Sequence, residues 1–268
     1  MSIKTLIHFR NVASSIWMWM PAVTFALAGM FMVAGQLNQD LFVDLNLIAA
    51  NINRFYWPHI TNLGDGLMAS MLVFPFIRKK PDMIWAFLIA ILFMTIICHG
   101  MKEITAIARP PAVLSRDFFN LIGPAYSKGS FPSGHSATIA TVGCIVIYAV
   151  QSPWAKSGIL CLVAVAGFSR IALGIHWPVD VVMGISLGWI CGILGLIIIQ
   201  YIPFKRKYDR CILFSLFSLA TVIGILIYRT PYEGTAWSQI TWIILFFIIG
   251  TRELYHHQAI DRSNRRPE

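Results

Sequence analysis

The sequence predicts an all-α fold, a polytopic bundle of transmembrane helices, and three observations carry that prediction. Of the 268 residues, 57% are hydrophobic and only 12% charged, whereas a soluble globular domain carries roughly a quarter of its residues as charges. The apolar residues come in eight long runs, and all but the last reach the roughly 17 to 25 residues that a helix needs to cross about 30 Å of hydrocarbon. The cations are distributed unevenly over the connections between those runs, as a fixed topology in a membrane requires.

The first run, Ile16 to Gln36, is too long and too weakly flanked to be a cleaved leader and reads as a retained span, with Pro21 in its first turn or at a kink. The connection Leu37 to His59 repeats apolar residues at helical spacing, which predicts a helix lying in the headgroup plane with Tyr56 and Trp57 at the interface. The second run, Ile60 to Ile77, passes through "NLGDG", where Asp65 either caps a helix in a tight turn or helps to position a substrate. The third, Met83 to Met101, holds His99 one turn before Lys102, either beside a site or simply packed.

A connection rich in Pro, Gly, Arg and Ser follows, Lys102 to Pro132. Long loops in compact domains are functional or disordered, and the charges in this one argue for function; Arg116, Tyr126 and Lys128 are its unranked candidates for touching a headgroup. Three spans come next, Gly134 to Gln151, Trp154 to Gly174 and Pro178 to Ile202; then Cys211 to Tyr228 and the marginal Thr235 to Gly250 suggest a C-terminal helical hairpin. The chain thus divides at 203, with a membrane domain over 1–203 and a hairpin with a basic tail over 204–268.

A net charge of +9 would suggest nucleic acid in a soluble protein. Here its distribution is more informative: with the N-terminus inside, fourteen of the 21 Lys and Arg fall on inner segments, which orients both termini toward the cytoplasm and assigns the basic rim to topology and anionic lipid, with no nucleic-acid partner. The cysteines, at 98, 144, 161, 191 and 211, all fall in expected spans without paired spacing, and read as small packing residues, neither a disulfide framework nor a metal site.

The chemistry concentrates in three stretches that this topology brings to one membrane face: "KEITAIARP" (102–110), "FPSGH" (131–135) and "SRIALGIHWPVD" (169–180). Ionisable groups near membrane depth are functional by default. Collected there are three cations, Lys102, Arg109 and Arg170; two histidines, His135 and His176; Asp180; and the Ser133–Gly134 pair at a helix start. Guanidinium and ammonium groups bind phosphate oxygens through charge-assisted hydrogen bonds. The free N–H groups at a helix N-terminus favour a phosphate as well, and Gly134 lets the backbone approach it closely. Such a cradle stabilises a rearranging phosphoryl charge without a metal or cofactor.

Two imidazoles then permit opposite roles. Asp180 lies four residues after His176, about one helical turn, with Pro178 tolerated in the first turn. A carboxylate on one ring nitrogen frees the other to attack, so His176 is the expected nucleophile, His135 the expected acid for the departing oxygen, and 99–181 the catalytic segment.

Lys102 with six residues before Arg109 and Pro110, then "PSGH", then Ser169–Arg170 with five residues before His176 and three before Asp180, resemble the three-part signature of the type 2 phosphatidic acid phosphatase superfamily. The resemblance covers 83–202 closely. It implies a six-helix core, a phosphohistidine at His176, an acid at His135, an orienting Asp180 and phosphate contacts from Lys102, Arg109, Ser133, Gly134 and Arg170.

The expected function is that of a membrane lipid phosphatase acting at the outer face of a bacterial inner membrane, on a polyprenyl diphosphate, phosphatidylglycerophosphate, phosphatidate or lipid A phosphate. The absence of an N-x-S/T sequon agrees with a bacterial setting. A phosphotransferase using the same intermediate and a non-catalytic anion or lipid transporter remain the alternatives, and the sequence leaves headgroup and oligomeric state open.

Overall fold

Glycine sets the architecture. The computed structural model describes residues 12, 14–73, 75, 82–202, 223–224, 227, 230–245, 248–249 and 252. In chain order its helices are α1 (Ile16–Ala34), α2 (Asn38–Ala50), α3 (Tyr56–Thr61), α4 (Gly66–Val73), α5 (Asp82–Thr105), α6 (Pro110–Val113), α7 (Gly134–Ala149), α8 (Pro153–Ala172) and α9 (Pro178–Ile198), with 3-10 turns at Asn62–Gly64 and Ile199–Tyr201. A further helix, α10, spans Ala236–Leu245.

The central helix α9 packs on α1, α5, α7 and α8. In lipid no hydrophobic force draws helices together, so small residues that let backbones touch do that work. At Gly188 a Cβ would fall onto the carbonyl oxygen of Ala137 in α7, and at Gly195 onto that of Ala86 in α5. Polar side chains add specific links: Thr141 Oγ1 donates to the Gly188 carbonyl at 2.9 Å, Ser186 Oγ to Ala22 of α1 at 2.9 Å and Trp189 Nε1 to Met18 at 2.8 Å. The last two acceptors flank Pro21, which lies inside α1, as expected where a neighbouring helix meets backbone groups near a proline.

Four helical stretches are long and apolar enough to cross a membrane: Ile16–Ala34, Asp82–Val113, Pro153–Ala172 and Pro178–Tyr201. The fold is therefore an all-α polytopic membrane bundle. Helix α7, expected as a full span, has 16 residues. The expected span Ile60 to Ile77 is broken within its described part: a 3-10 turn ends at Gly64, and Asp65 opens α4 by accepting the Leu67 N–H at 2.9 Å. The cap reading of Asp65 thus has its structural basis. Of the expected hairpin, Cys211 to Tyr228 lies almost wholly outside the described residues, and so do the basic tail and Cys211.

Three expectations need correction. Trp57 is not at a lipid interface; it is 5% exposed, donates Nε1–H to the Ala49 carbonyl at 3.2 Å and packs edge-on against Phe168. His99 is not packed in the core, for it is exposed on α5 with Nδ1 2.9 Å from the Thr95 carbonyl of its own helix. Cys161 is exposed, unlike the buried Cys98, Cys144 and Cys191.

Candidate active site

The site forms where α9 begins. Trp177 is its N-cap, with extended backbone, and Pro178 takes the first helical position, where a missing N–H costs nothing. Asp180, third in the helix, accepts the Trp177 N–H at 2.8 Å. The same oxygen, Oδ2, receives the Ser130 hydroxyl at 2.5 Å and faces His176 Nδ1 at 3.3 Å. An ionised carboxylate only accepts, so Nδ1 carries the imidazole proton. On the other side of the ring, Nε2 lies 3.2 Å from Arg109 Nη1. A guanidinium only donates, so Nε2 carries the lone pair. Two independent partners therefore select one tautomer.

Arg109 stands at the foot of the long connection, just before Pro110 opens α6. Its backbone N–H donates to Ser127 and the Ser130 N–H returns to Ile107, each at 3.0 Å, which zips the two ends of the connection together. The guanidinium is held by carbonyls at every corner: Lys128 to Nε at 3.0 Å, Ile175 to Nη1 and Gly129 to Nη2, both at 3.3 Å, with the Tyr126 ring 5.1 Å away. Lys102 Nζ reaches the Gly129 carbonyl at 2.6 Å. Lys128 thus contributes backbone, Tyr126 braces Arg109, and Arg116 instead lies over Phe119, 5.8 Å from the ring centre.

Arg170 ends α8 and is only 4% exposed. Nη1 donates to Thr61 Oγ1 at 2.6 Å and approaches the Tyr232 hydroxyl at 3.5 Å, while buried Nε has no hydrogen-bond partner. Buried donors are nearly always matched, and a guanidinium N–H without a protein partner beside other cations suits an anion's oxygen.

Ser133 caps α7. Its hydroxyl accepts from the Ser136 N–H at 3.4 Å and the Ser136 hydroxyl at 2.8 Å, and its own N–H donates to the Asp180 carbonyl at 3.0 Å. These bonds lock the start of α7 to the start of α9. Gly134 and His135 then occupy the first two helical positions, and a Cβ on Gly134 would meet nothing within 4 Å, so the backbone there faces open space. His135 is half-buried, with its carbonyl oxygen 2.7 Å from where a Cβ on Gly64 would stand.

His176 itself is 2% exposed. Burial first, and then the charges of Arg109, Arg170 and Lys102, hold its pKa well below the ordinary 6.5. The ring is therefore a neutral base at physiological pH, hydrogen-bonded as a nucleophile toward phosphorus would be. All eight expected site residues cluster at one end of the bundle.

Sequence reasoning missed four contributors. Ser130 is three residues before Ser133, in a loop whose register only the fold reveals. Thr61 and Tyr232 reach Arg170 from remote segments that carry no motif. Asn46, fully buried on α2, donates Nδ2–H to the carbonyls of Asn120 at 3.0 Å and Ile171 at 2.9 Å, and accepts the Asn120 N–H at 2.7 Å. It thereby satisfies a carbonyl at the end of α8 that carries Arg170. A polar residue in the apolar face of α2 was the one available signal.

A family model described as the PAP2 superfamily matches residues 83–204. The chain is 30% identical over 167 residues to an undecaprenyl-diphosphatase of Sulfolobus acidocaldarius, an alignment covering 58% of this chain and 71% of that protein. Among solved structures, LpxE of Aquifex aeolicus superposes with a TM-score of 0.51 at 30% identity, over 60% of this chain and 94% of that one. A PAP2-type phosphatidylglycerolphosphate phosphatase of Bacillus subtilis gives a TM-score of 0.51 at 23% identity, over 69% and 98%, and so shares the fold.

Proposed function

Since this chain belongs to the PAP2 superfamily and is a multi-pass membrane lipid phosphatase, we propose that it hydrolyses the terminal phosphate of a lipid diphosphate through a phosphohistidine at His176. The observation that supports this most is the divided hydrogen bonding of the His176 ring, with Nδ1 toward Asp180 and Nε2 toward Arg109.

In the first half-reaction Nε2 attacks phosphorus and forms a P–N bond. The bond from the terminal phosphorus to the bridging oxygen of the diphosphate breaks, and that oxygen, which leaves on the lipid monophosphate, takes a proton from His135. Lys102, Arg109, Arg170 and the amides of Gly134 and His135 surround the equatorial oxygens, where charge builds in the transition state. Asp180 stabilises the positive charge developing on the ring. In the second half-reaction His135 takes a proton from water, the water oxygen bonds to phosphorus, and the P–N bond breaks to release phosphate and restore Nε2.

A polyprenyl diphosphate is the favoured substrate, because the Sulfolobus acidocaldarius relative, 71% of which aligns with this chain, is an undecaprenyl-diphosphatase. The site faces the periplasm or cell exterior, with both termini in the cytoplasm. Supporting this, Lys156 lies in the first turn of α8 and Arg170 in its last, so one cation of the expected inner rim and one of the site stand at opposite ends of the same helix. We further infer that 1–203 forms the catalytic membrane domain, with α7 and the α3–α4 segment completing six core crossings and 204–268 appended as a hairpin.

The test is phosphate release by purified protein from a polyprenyl diphosphate with no acceptor added, set against phosphatidylglycerophosphate, phosphatidate and lipid A, with His176→Ala as the blank. Release from the diphosphate is expected. Turnover only with an added acceptor lipid indicates a phosphotransferase, and binding without release in any condition indicates a transporter.

A further inference from the structure

Beyond the family match, which ends at residue 204, one side chain returns to the phosphate site. Tyr232 is 5% exposed and directs its hydroxyl to Nη1 of Arg170 at 3.5 Å, the long limit of a hydrogen bond. We propose that Tyr232 is a positioning residue for Arg170: with Thr61 it holds the guanidinium in place to receive the substrate's phosphate, which makes the segment after residue 204 part of the catalytic machinery. This rests on the reading of Arg170 as a phosphate ligand.

Three further observations support it. The Tyr232 ring has a built socket. Gly123 has φ +88, a conformation that favours glycine, and a Cβ there would come within 2.6 Å of ring atom Cε1. The loop carrying Gly123 is tied to the end of α8, since the Ile122 N–H donates to the Leu173 carbonyl at 3.1 Å. Tyr232 also shares a buried apolar cluster with Ala172, Leu173 and Ile175, the residues between Arg170 and His176.

Second, the Tyr232 backbone is fixed by the turn that precedes α10. Its carbonyl accepts from the Thr235 hydroxyl at 2.9 Å and from the Thr235 N–H at 3.4 Å, just before α10. The phenol is therefore held from both ends. Third, burial raises its pKa above the ordinary value, with Arg170 opposing. The hydroxyl stands protonated, a neutral acceptor that orients the guanidinium without neutralising it and leaves its charge for phosphate.

Tyr232→Phe removes the hydroxyl and keeps the ring in its socket. The expected result is a fall in kcat/KM of about tenfold, the scale of one hydrogen bond to a charged group. Affinity for inorganic phosphate, read by thermal shift, should weaken by a similar factor, with the melting temperature of the free protein unchanged. Tyr232→Phe added to Arg170→Lys should cost little beyond Arg170→Lys alone, in phosphate affinity as in turnover, so the cycle can be read even where turnover is lost.

Wild-type kcat/KM and phosphate affinity in Tyr232→Phe would overturn the proposal. So would an undiminished Tyr232→Phe effect in the Arg170→Lys background, because the tyrosine would then act independently of Arg170. Wild-type activity in Arg170→Gln is a distinguishable failure: it removes the phosphate-ligand reading beneath, and the positioning role with it.

Discussion

Arg109 Nη1 lies 3.2 Å from His176 Nε2, on the opposite side of the ring from Asp180. The arginine thus marks the position that one phosphoryl oxygen would take over, and the aspartate fixes which nitrogen is free to attack. In the proposed mechanism this relationship makes the tautomer of His176 the quantity on which the rate depends.

Asp180→Asn keeps the shape of the side chain but offers an N–H where the carboxylate accepted. The ring turns to the other tautomer, and Nε2 loses its lone pair. The kcat is expected to fall between about 10³- and 10⁴-fold, the scale for replacing an orienting carboxylate by its amide, with helix content by circular dichroism unchanged.

Arg109→Lys retains a charge and loses the fork that spans three carbonyls and His176. An ammonium cannot reproduce that geometry. Steady-state assay should show kcat/KM reduced by about 10²-fold, comparable to removing one preorganised donor from an anion site.

The depressed pKa of His176 sets the acidic side of the pH profile. The nucleophile must be neutral, and a group whose folded pKa lies below its ordinary value stays neutral as pH falls through 6.5. The acidic limb of the kcat/KM profile should therefore be centred below that point, with the acid His135 setting the alkaline limb. An acidic limb centred at or above 6.5 would show that burial and the three cations do not act as described.

In the proposed mechanism phosphate charge is met by Lys102, Arg109 and Arg170, and among the described residues no three His, Cys, Asp or Glu side chains gather as metal ligands. Dialysis against a chelator should leave phosphate release unchanged. Loss on chelation and recovery with a divalent ion would point to a second kind of electrostatic support.

Two glycine substitutions should separate packing from chemistry. Gly188→Ala drives a Cβ into the Ala137 carbonyl and should destabilise by about 1 to 3 kcal/mol, seen as a lower melting temperature in detergent. Gly134→Ala meets no protein atom within 4 Å and should leave melting unchanged while lowering kcat/KM, because the added methyl stands where phosphate approaches.

The convergence of the site residues was legible in sequence because they recur at short, directional spacings. Asp180 follows His176 by one turn, and the Ser133 cap announces the start of α7. Four of the expected spans were legible from apolar run length, which reports lipid contact directly. What escaped depends on interactions with no local period. The break at Asp65 follows from two glycines and a cap that outweigh apolar composition, and Trp57 is buried because its indole finds a carbonyl on α2. Thr61 and Tyr232 meet Arg170 across more than sixty residues in either direction of the chain, separated by 109 and 62 positions. The exposure of His99 was not legible, because one turn along a helix does not fix a side chain's surroundings.

The most direct test of the central claim is acid-stable versus acid-labile labelling after rapid quench with substrate radiolabelled at the terminal phosphate. The account predicts an acid-labile, base-stable label that peptide mapping assigns to His176, absent in His176→Ala and accumulating when water attack is slowed. Full phosphate release by His176→Ala, or a label carried by any other residue, would contradict it.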